Sequence, residues 1–428
     1  MEKQAWFRKR ICWINQYAGH AAKKSGAGMR KIIYSVLHVT AAVFCIFLAA
    51  AAVCGCSGMN GAAGNMTGKE EKRLNEEMAE KMERRLPEEV KREQIGKDTA
   101  ITAMDRFLAK FYVMSDDGTG AIVGEQFWPR AEIMEIAVDA WEKTSSPQYR
   151  DLMEQMYLGF VKDFGEDWSD NEYNDDIIWM TIACARACQA EENEVYKEQA
   201  VRHFNLVYDR AWSEDLGGGL FWRTDNKTKN SCINGPAAIA ACILYQITGE
   251  QEYLEKAVRI YDWQCENLVG EDGAVYDAYD LENGINKWCS TYNQGTFIGA
   301  GLCLYRITGE EKYLENSVKA ADYTMNVMYQ GGVINTEDEG NDLPGFKGIL
   351  ARWLGKLVYE GGQTQYLDWM EKNAQTAWRN RNSSDIMWTR WADKTQDTFY
   401  TAWGCSAAVS QLWNCLPPSG YEENAVNP

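Results

Sequence analysis

A fourteen-residue stretch occurs twice, sixty residues apart: Leu244-Tyr-Gln-Ile-Thr-Gly-Glu-Gln-Glu-Tyr-Leu-Glu-Lys-Ala257 and Leu304-Tyr-Arg-Ile-Thr-Gly-Glu-Glu-Lys-Tyr-Leu-Glu-Asn-Ser317. One helix should end at Gly249 or Gly309, where glycine accepts the left-handed cap, and a second should begin just after it. Weaker copies of the tyrosine anchor at Tyr149, Tyr196 and Tyr366 join Tyr253 and Tyr313, giving spacings of 47, 57, 60 and 53 residues. Internal similarity at such a period marks repeated supersecondary units, here two helices and a variable loop. A sixth unit is completed by pairing a helix around Thr99–Met114 with one around Thr398–Trp413, which brings the two ends of the chain together. Six hairpins close into an all-α (α/α)6 barrel. An open solenoid would have a shorter, more regular period and plainer loops.

The loops are long and chemically rich: Gly217-Gly-Gly-Leu-Phe-Trp222, Asp272-Gly-Ala-Val-Tyr-Asp277, and Asn335 through Lys347. In a ring of hairpins, the loops on one face surround a common cleft, where chemistry belongs.

Composition narrows the partners. With 44 basic and 62 acidic residues the formal charge is -18, so nucleic acid and anionic lipid are repelled, and a neutral polysaccharide fits better. Seventeen Trp and 22 Tyr suit sugar-ring stacking, although core packing accounts for most of them. Only three His occur, and His20 and His38 fall in the N-terminal segment, leaving His203. That scarcity argues against histidine-based zinc sites and Ser-His-Asp chemistry, and leaves carboxylates to move protons. A monomer without metal or cofactor is expected.

From Ile32 to Val53 the chain is almost wholly apolar, and Val53-Cys54-Gly55-Cys56 resembles the lipobox of bacterial lipoproteins. Met29-Arg30-Lys31 reads as the basic start of that signal, so residues 1–28 are an overshoot or a long leader. The predicted organisation is an export signal over 1–55, lipidation at Cys56, a charged tether over 56–97, a catalytic domain over 98–416 and a tail over 417–428. The domain would sit on the extracellular face of the membrane through its lipid, or be secreted. Cys184, Cys188, Cys242, Cys303 and Cys405 lie in apolar helical runs and are expected to be free, buried thiols.

Glu172-Tyr-Asn-Asp175-Asp176-Ile-Ile-Trp179 opens a strongly periodic helix. Asp at a helix start serves backbone capping and the macrodipole, and that structural role competes with a chemical one. Glycoside cleavage needs two carboxyl groups, one ionised and one protonated, and repulsion between close carboxylates separates their pKa values as required.

These residues, with Gly218-Gly-Leu-Phe-Trp222, Asn234-Gly-Pro-Ala-Ala, Thr291-Tyr-Asn-Gln-Gly295 and Phe346-Lys-Gly-Ile-Leu-Ala-Arg352, resemble glycoside hydrolase family 76 from about Thr99 to Trp413. That family comprises endo-acting α-1,6-mannanases and their fungal cell-wall relatives. The resemblance implies a retaining mechanism with Asp175 as nucleophile and Asp176 as acid/base. It also implies a substrate-binding set of Trp179, Trp222, Asn234, Asp277, Tyr292, Asn293, Gln294 and Lys347. Trp222 would be a stacking platform and Asp277 a hydroxyl contact, while Lys347 or Arg352 would make a structural ion pair on the cleft floor. For Asn234, capping and loop hydrogen bonding is an equal alternative. Hydrolysis of α-1,6-mannan or a similar α-mannoside is the leading expectation. Transglycosylation and a non-catalytic glycan-binding lipoprotein are the alternatives.

Overall fold

The computed structural model describes residues 95–421, apart from 331 and 399. The export signal, Cys56 and nearly all of the tether lie outside the described residues. Twelve α-helices follow: α1 Lys97–Phe111, α2 Phe127–Thr144, α3 Pro147–Phe164, α4 Asn174–Glu191, α5 Glu194–Ala211, α6 Ser231–Thr248, α7 Gln251–Leu268, α8 Thr291–Thr308, α9 Glu311–Val327, α10 Phe346–Tyr359, α11 Leu367–Arg379 and α12 Ala402–Asn414. The even-numbered helices touch one another in order, and α12 returns to α2, so they form a closed inner ring. The odd-numbered helices pack outside, with α1 seated against α12. This is an (α/α)6 barrel.

Burial explains which helix goes where. Helix α6 is buried without a break from Ser231 to Leu244, as a wall between two packed surfaces must be. Its outer partner α7 buries a stripe of Tyr253, Ala257, Ile260, Tyr261, Gln264 and Leu268, at helical spacing. The turn after each of the first four inner helices is two residues long, and its first residue is left-handed: Ser145, Glu192, Gly249 and Gly309.

The repeated tyrosines lock neighbouring hairpins. Tyr149, Tyr196, Tyr253 and Tyr313 are each the third residue of an outer helix, and all are buried. Three of them meet an aromatic ring of the preceding hairpin edge-on: Tyr196 against Tyr157 at 5.1 Å, Tyr253 against Phe204 at 5.6 Å, and Tyr313 against Tyr261 at 5.4 Å. Tyr149 meets Trp413 of α12 at 5.5 Å, so the same contact closes the ring. Edge-to-face pairs add about 0.5–1.5 kcal/mol each beyond area burial.

Charge crosses the ring interior. Arg186 of α4 donates to Glu135, Asp139 and Glu142 of α2 at 2.7, 2.7 and 2.9 Å. Arg352 of α10 reaches Glu132 at 2.6 Å and Asp139 at 3.0 Å, and Lys356 reaches Glu142 at 2.9 Å. Lys356 also reaches Glu360 at 3.1 Å, so these three cations face five carboxylates. Burial pushes Glu132 up to about 8, so it holds a proton at neutral pH. The expected structural ion pair falls to Arg352.

Short strands decorate the loops. The first helix stops at Phe111 rather than Met114, because Tyr112–Met114 forms β1 against β2, Gly120–Ile122. The last helix begins at Ala402 rather than Thr398, with the Thr401 hydroxyl capping the Gly404 N–H. A three-stranded antiparallel sheet joins β3 (Thr228–Asn230), β4 (Tyr276–Asp280) and β5 (Gly284–Cys289). Strands β3 and β5 run directly into α6 and α8. The nine cysteines among the described residues are free. His203 is buried, stacked on Trp168 at 3.7 Å, and accepts the Trp168 N–H, so it is a packing residue.

Candidate active site

The inner helices run parallel, so their six N-termini gather on the face that carries the long loops. In five of the six, the second residue points into one cluster: Trp128, Asp175, Cys232, Tyr292 and Trp403. In α10 the first residue, Phe346, takes this place and stacks on Tyr292 at 3.7 Å. Trp128 meets Trp403 at 4.6 Å, and it lies 6.1 Å from both Trp179 and Phe346. An aromatic floor therefore closes the barrel mouth above the buried charges.

Asp175 and Asp176 stand on this floor, half-buried. Neither is the helix cap; that position belongs to Tyr173, whose side chain makes no cap bond. Burial, then the Asp176 charge, drives Asp175 up to about 8, against the lowering influence of the Cys232 thiol and Trp222 indole beside it. Asp175 Oδ1 and Trp222 Nε1 nonetheless lack a well-formed hydrogen bond within the protein. Burial also raises Asp176, to about 6, while Asn171 Nδ2 donates to its Oδ2 at 3.1 Å and the Asp342 charge pushes the same way as burial. Near neutral pH the two carboxyls together hold one proton, which belongs to the pair.

Supporting residues fix this geometry. Arg210 donates to Asn174 Oδ1 at 2.6 Å and to the Ser169 and Asn171 carbonyls at 2.8 Å, holding the segment that enters α4. Asn174 in turn donates to the Phe221 carbonyl at 2.8 Å, tying the aspartates to the Trp222 loop. That loop is stitched by Lys229, whose ammonium donates to the carbonyls of Ser213, Asp215 and Gly218. Gly219 has φ +84°, and a Cβ there would come within 2.4 Å of the Trp263 ring, so only glycine fits.

The substrate-binding set predicted from sequence divides. Trp222, Asp277 and Tyr292 reach the cluster; the Asp277 charge is felt at both Cys232 and Tyr292, and burial raises its own pKa. Trp179 is floor, 2% exposed. Three residues, Asn234, Gln294 and Lys347, are corrected. Asn234 is fully buried: it accepts the Leu220 N–H and donates to the Leu220 and Asn230 carbonyls, the loop-bonding role. Gln294 accepts the Val275 N–H and donates to the Gly273 and Ala320 carbonyls, so its amide is spent between α8 and α9. Asn293 is fully buried, and neither of its amide atoms is hydrogen-bonded within the protein. Lys347 is 1% exposed, lies 4.4 Å over the Trp391 ring and donates to the Thr389 carbonyl.

Trp128, Asn171, Arg210, Cys232, Glu337, Asp342 and Trp403 were missed. Glu337 accepts the Thr291 N–H at 2.9 Å and its hydroxyl, so it caps α8 just before Tyr292. Asp342 accepts the Trp128 indole N–H at 3.3 Å and the Trp403 indole N–H through its carbonyl. The signal for Trp128, Cys232 and Trp403 was positional: each is the counterpart of Asp175 once the hairpins are aligned.

A family model described as glycosyl hydrolase family 76 matches residues 96–416. The chain is similar in structure to the α-1,6-mannanase GH76A of Salegentibacter sp. HEL1_6, with 30% identity, a TM-score of 0.69, and coverage of 74% of this chain and 98% of that one. A protein of Listeria innocua gives 28% identity and a TM-score of 0.69, covering 74% and 96%. Variants of the Salegentibacter enzyme inactivated at two consecutive aspartates are known in complex with α-1,6-mannotriose and α-1,6-mannotetrose. Among curated proteins, the mannan endo-1,6-alpha-mannosidases DCW1 of Candida glabrata and Saccharomyces cerevisiae are 26% and 27% identical over 282 and 285 residues. Each match covers 59% of this chain and 63% or 62% of the relative, so the chain spans less than two thirds of these proteins. With the family match running through all twelve helices and the aspartate pair, this chain belongs to glycosyl hydrolase family 76.

Proposed function

We propose that this protein cleaves α-1,6-mannan within the chain, with retention of anomeric configuration. The observation that carries the reading is the adjacent pair Asp175–Asp176, both half-buried on an aromatic floor at the mouth of the barrel. The consecutive aspartates replaced in the inactive Salegentibacter variants, which bind α-1,6-manno-oligosaccharides, support it.

In the first step Asp176 gives its proton to the glycosidic oxygen as the bond to the anomeric carbon breaks. The Asp175 carboxylate attacks that carbon from the opposite side and forms a glycosyl ester. The ester removes the charge on Asp175, so repulsion on Asp176 falls and its pKa drops. Asp176 then takes a proton from water as the water oxygen displaces Asp175 from the anomeric carbon, restoring both carboxyls. Trp222 and Tyr292 supply ring faces for the bound sugar, and Asp277 accepts from one of its hydroxyls. The protein works as a monomer, exported and lipidated at Cys56, which places the cleft outside the cell.

The test is incubation of the domain with α-1,6-mannan and with α-1,2- and α-1,3-linked mannans, with products followed by chromatography and the first-formed anomer by NMR. Oligosaccharides of several lengths with the α anomer first, from the 1,6-linked polymer, support the reading. Release of only monosaccharide, a β first product, or cleavage confined to other linkages overturns it.

A further inference from the structure

Trp288 is the one tryptophan among the described residues left prominently exposed, at 43%. It lies on β5, and the register of the hairpin fixes which way it faces. Tyr276 pairs with Cys289 and Ala278 with Asn286, which leaves Asp277 alone opposite Lys287 and Trp288 in a bulge. Paired residues share a face, so Cys289 stands on the Tyr276 side, where its thiol lies 3.8 Å from Tyr323 of α9. Lys287 lies over the Tyr276 ring at 5.0 Å, so Lys287 and Cys289 share that side, and Trp288 between them takes the opposite side, which is that of Asp277. Asn286 strengthens the link, donating to Asp277 Oδ2 at 2.8 Å. The Asp277 charge is felt at Cys232 and Tyr292, which stand beside Asp175, and the exposed Trp288 indole lies on the Asp277 side of the hairpin.

An indole in water with a cleft behind it suits the apolar face of a pyranose ring, with the sugar hydroxyls left to solvent. We propose that Trp288 is a stacking platform for a neutral sugar ring of the bound chain, distal to the residue held at Asp175 and Asp176. It is thus a specificity-determining residue that makes the enzyme favour longer chains. The inference rests on the proposed saccharide substrate and adds a subsite to it.

The test uses the full chain carrying Asp175→Asn and Asp176→Asn to halt turnover, with and without Trp288→Ala or Trp288→Phe. Binding of α-1,6-mannohexaose and α-1,6-mannobiose is measured by calorimetry, with circular dichroism to confirm folding. Trp288→Ala should weaken hexasaccharide binding about tenfold and leave the disaccharide within about twofold, while Trp288→Phe keeps most of the affinity. Equal affinity for the hexasaccharide in all forms, or an equal loss for both lengths, overturns the inference. Cleavage by the unaltered protein is scored separately. If it cuts no α-mannan, the functional reading fails alone, and Trp288 is judged by quenching of its fluorescence with a panel of neutral polysaccharides. No Trp288-dependent binding to any of them also overturns the inference.

Discussion

Arg210 Nε donates to Asn174 Oδ1 at 2.6 Å, a bond by which an outer helix holds the residue that precedes the aspartate pair. The same guanidinium holds the carbonyl of Asn171, whose amide reaches Asp176. Arg210→Ala should lower kcat about 10–100-fold, since small misplacements of reacting groups are costly, while removing about 1–3 kcal/mol of stability. Arg210→Lys should recover little, because a point charge cannot reproduce the fork. Steady-state kinetics beside thermal melts would check this; unaltered kcat in a folded Arg210→Ala protein would refute the positioning role.

The aspartates should separate in their mutants. Asp176→Ala leaves the nucleophile, so activated mannosides still form the ester and azide restores turnover. Asp175→Ala loses the covalent route, and any anion rescue gives the inverted product. Specific activity, azide dependence and product NMR test this, and full activity in either variant would reject the assignment.

The pair also sets a pH dependence. With apparent values of about 8 and about 6, turnover should be bell-shaped and greatest between them. For stability the sign runs the other way from an ordinary salt-bridged carboxylate. A raised folded-state pKa means that the folded chain holds the proton longer, so the contribution of the pair is intact below about pH 4 and is lost as pH rises through about 6 and about 8. Asp175→Asn should therefore melt higher than the unaltered protein above pH 8 and alike at pH 4. Calorimetric melts across that range decide it.

Within the ring interior, two conservative changes should differ sharply. Glu132 is held protonated by burial, so Glu132→Gln should cost little. Asp139 accepts from both Arg186 and Arg352, so Asp139→Asn leaves buried guanidinium charge uncompensated and should cost about 3–5 kcal/mol. Denaturant titration of the two variants makes the comparison.

Cys56→Ala should abolish acylation and release the protein from membranes. Mass spectrometry of the mature N-terminus and cell fractionation check this; an unlipidated, membrane-retained chain in both forms would reject the lipobox reading.

The architecture was legible because the tyrosine anchors do one physical job, wedging against the preceding hairpin, and a repeated job leaves a repeated residue. The aspartate pair stood out in the sequence as two carboxyls opening a periodic helix, and both lie half-buried in the first turn of α4. Asn234 and Gln294 misled because an amide that satisfies a loop carbonyl is indistinguishable in sequence from one that reads a sugar hydroxyl. Asp342 and Glu337 sit in an irregular loop whose path no periodicity reveals. Cys232 gave only a positional cue, because its importance comes from standing one hairpin along from Asp175.

Closure of the ring by its first and last helices carries a consequence for synthesis. Trp403 donates its N–H to Glu125 at 2.7 Å and Asn414 donates to Asp139 at 3.1 Å, so the last hairpin completes bonds begun some 275 residues earlier. Until α12 emerges, α2 and α10 face an empty sector and the cluster around Asp139 lacks a partner. Closing the ring is therefore a late event. A chain that cannot lock before its final helix arrives is one that can still be threaded, extended, through a translocation channel.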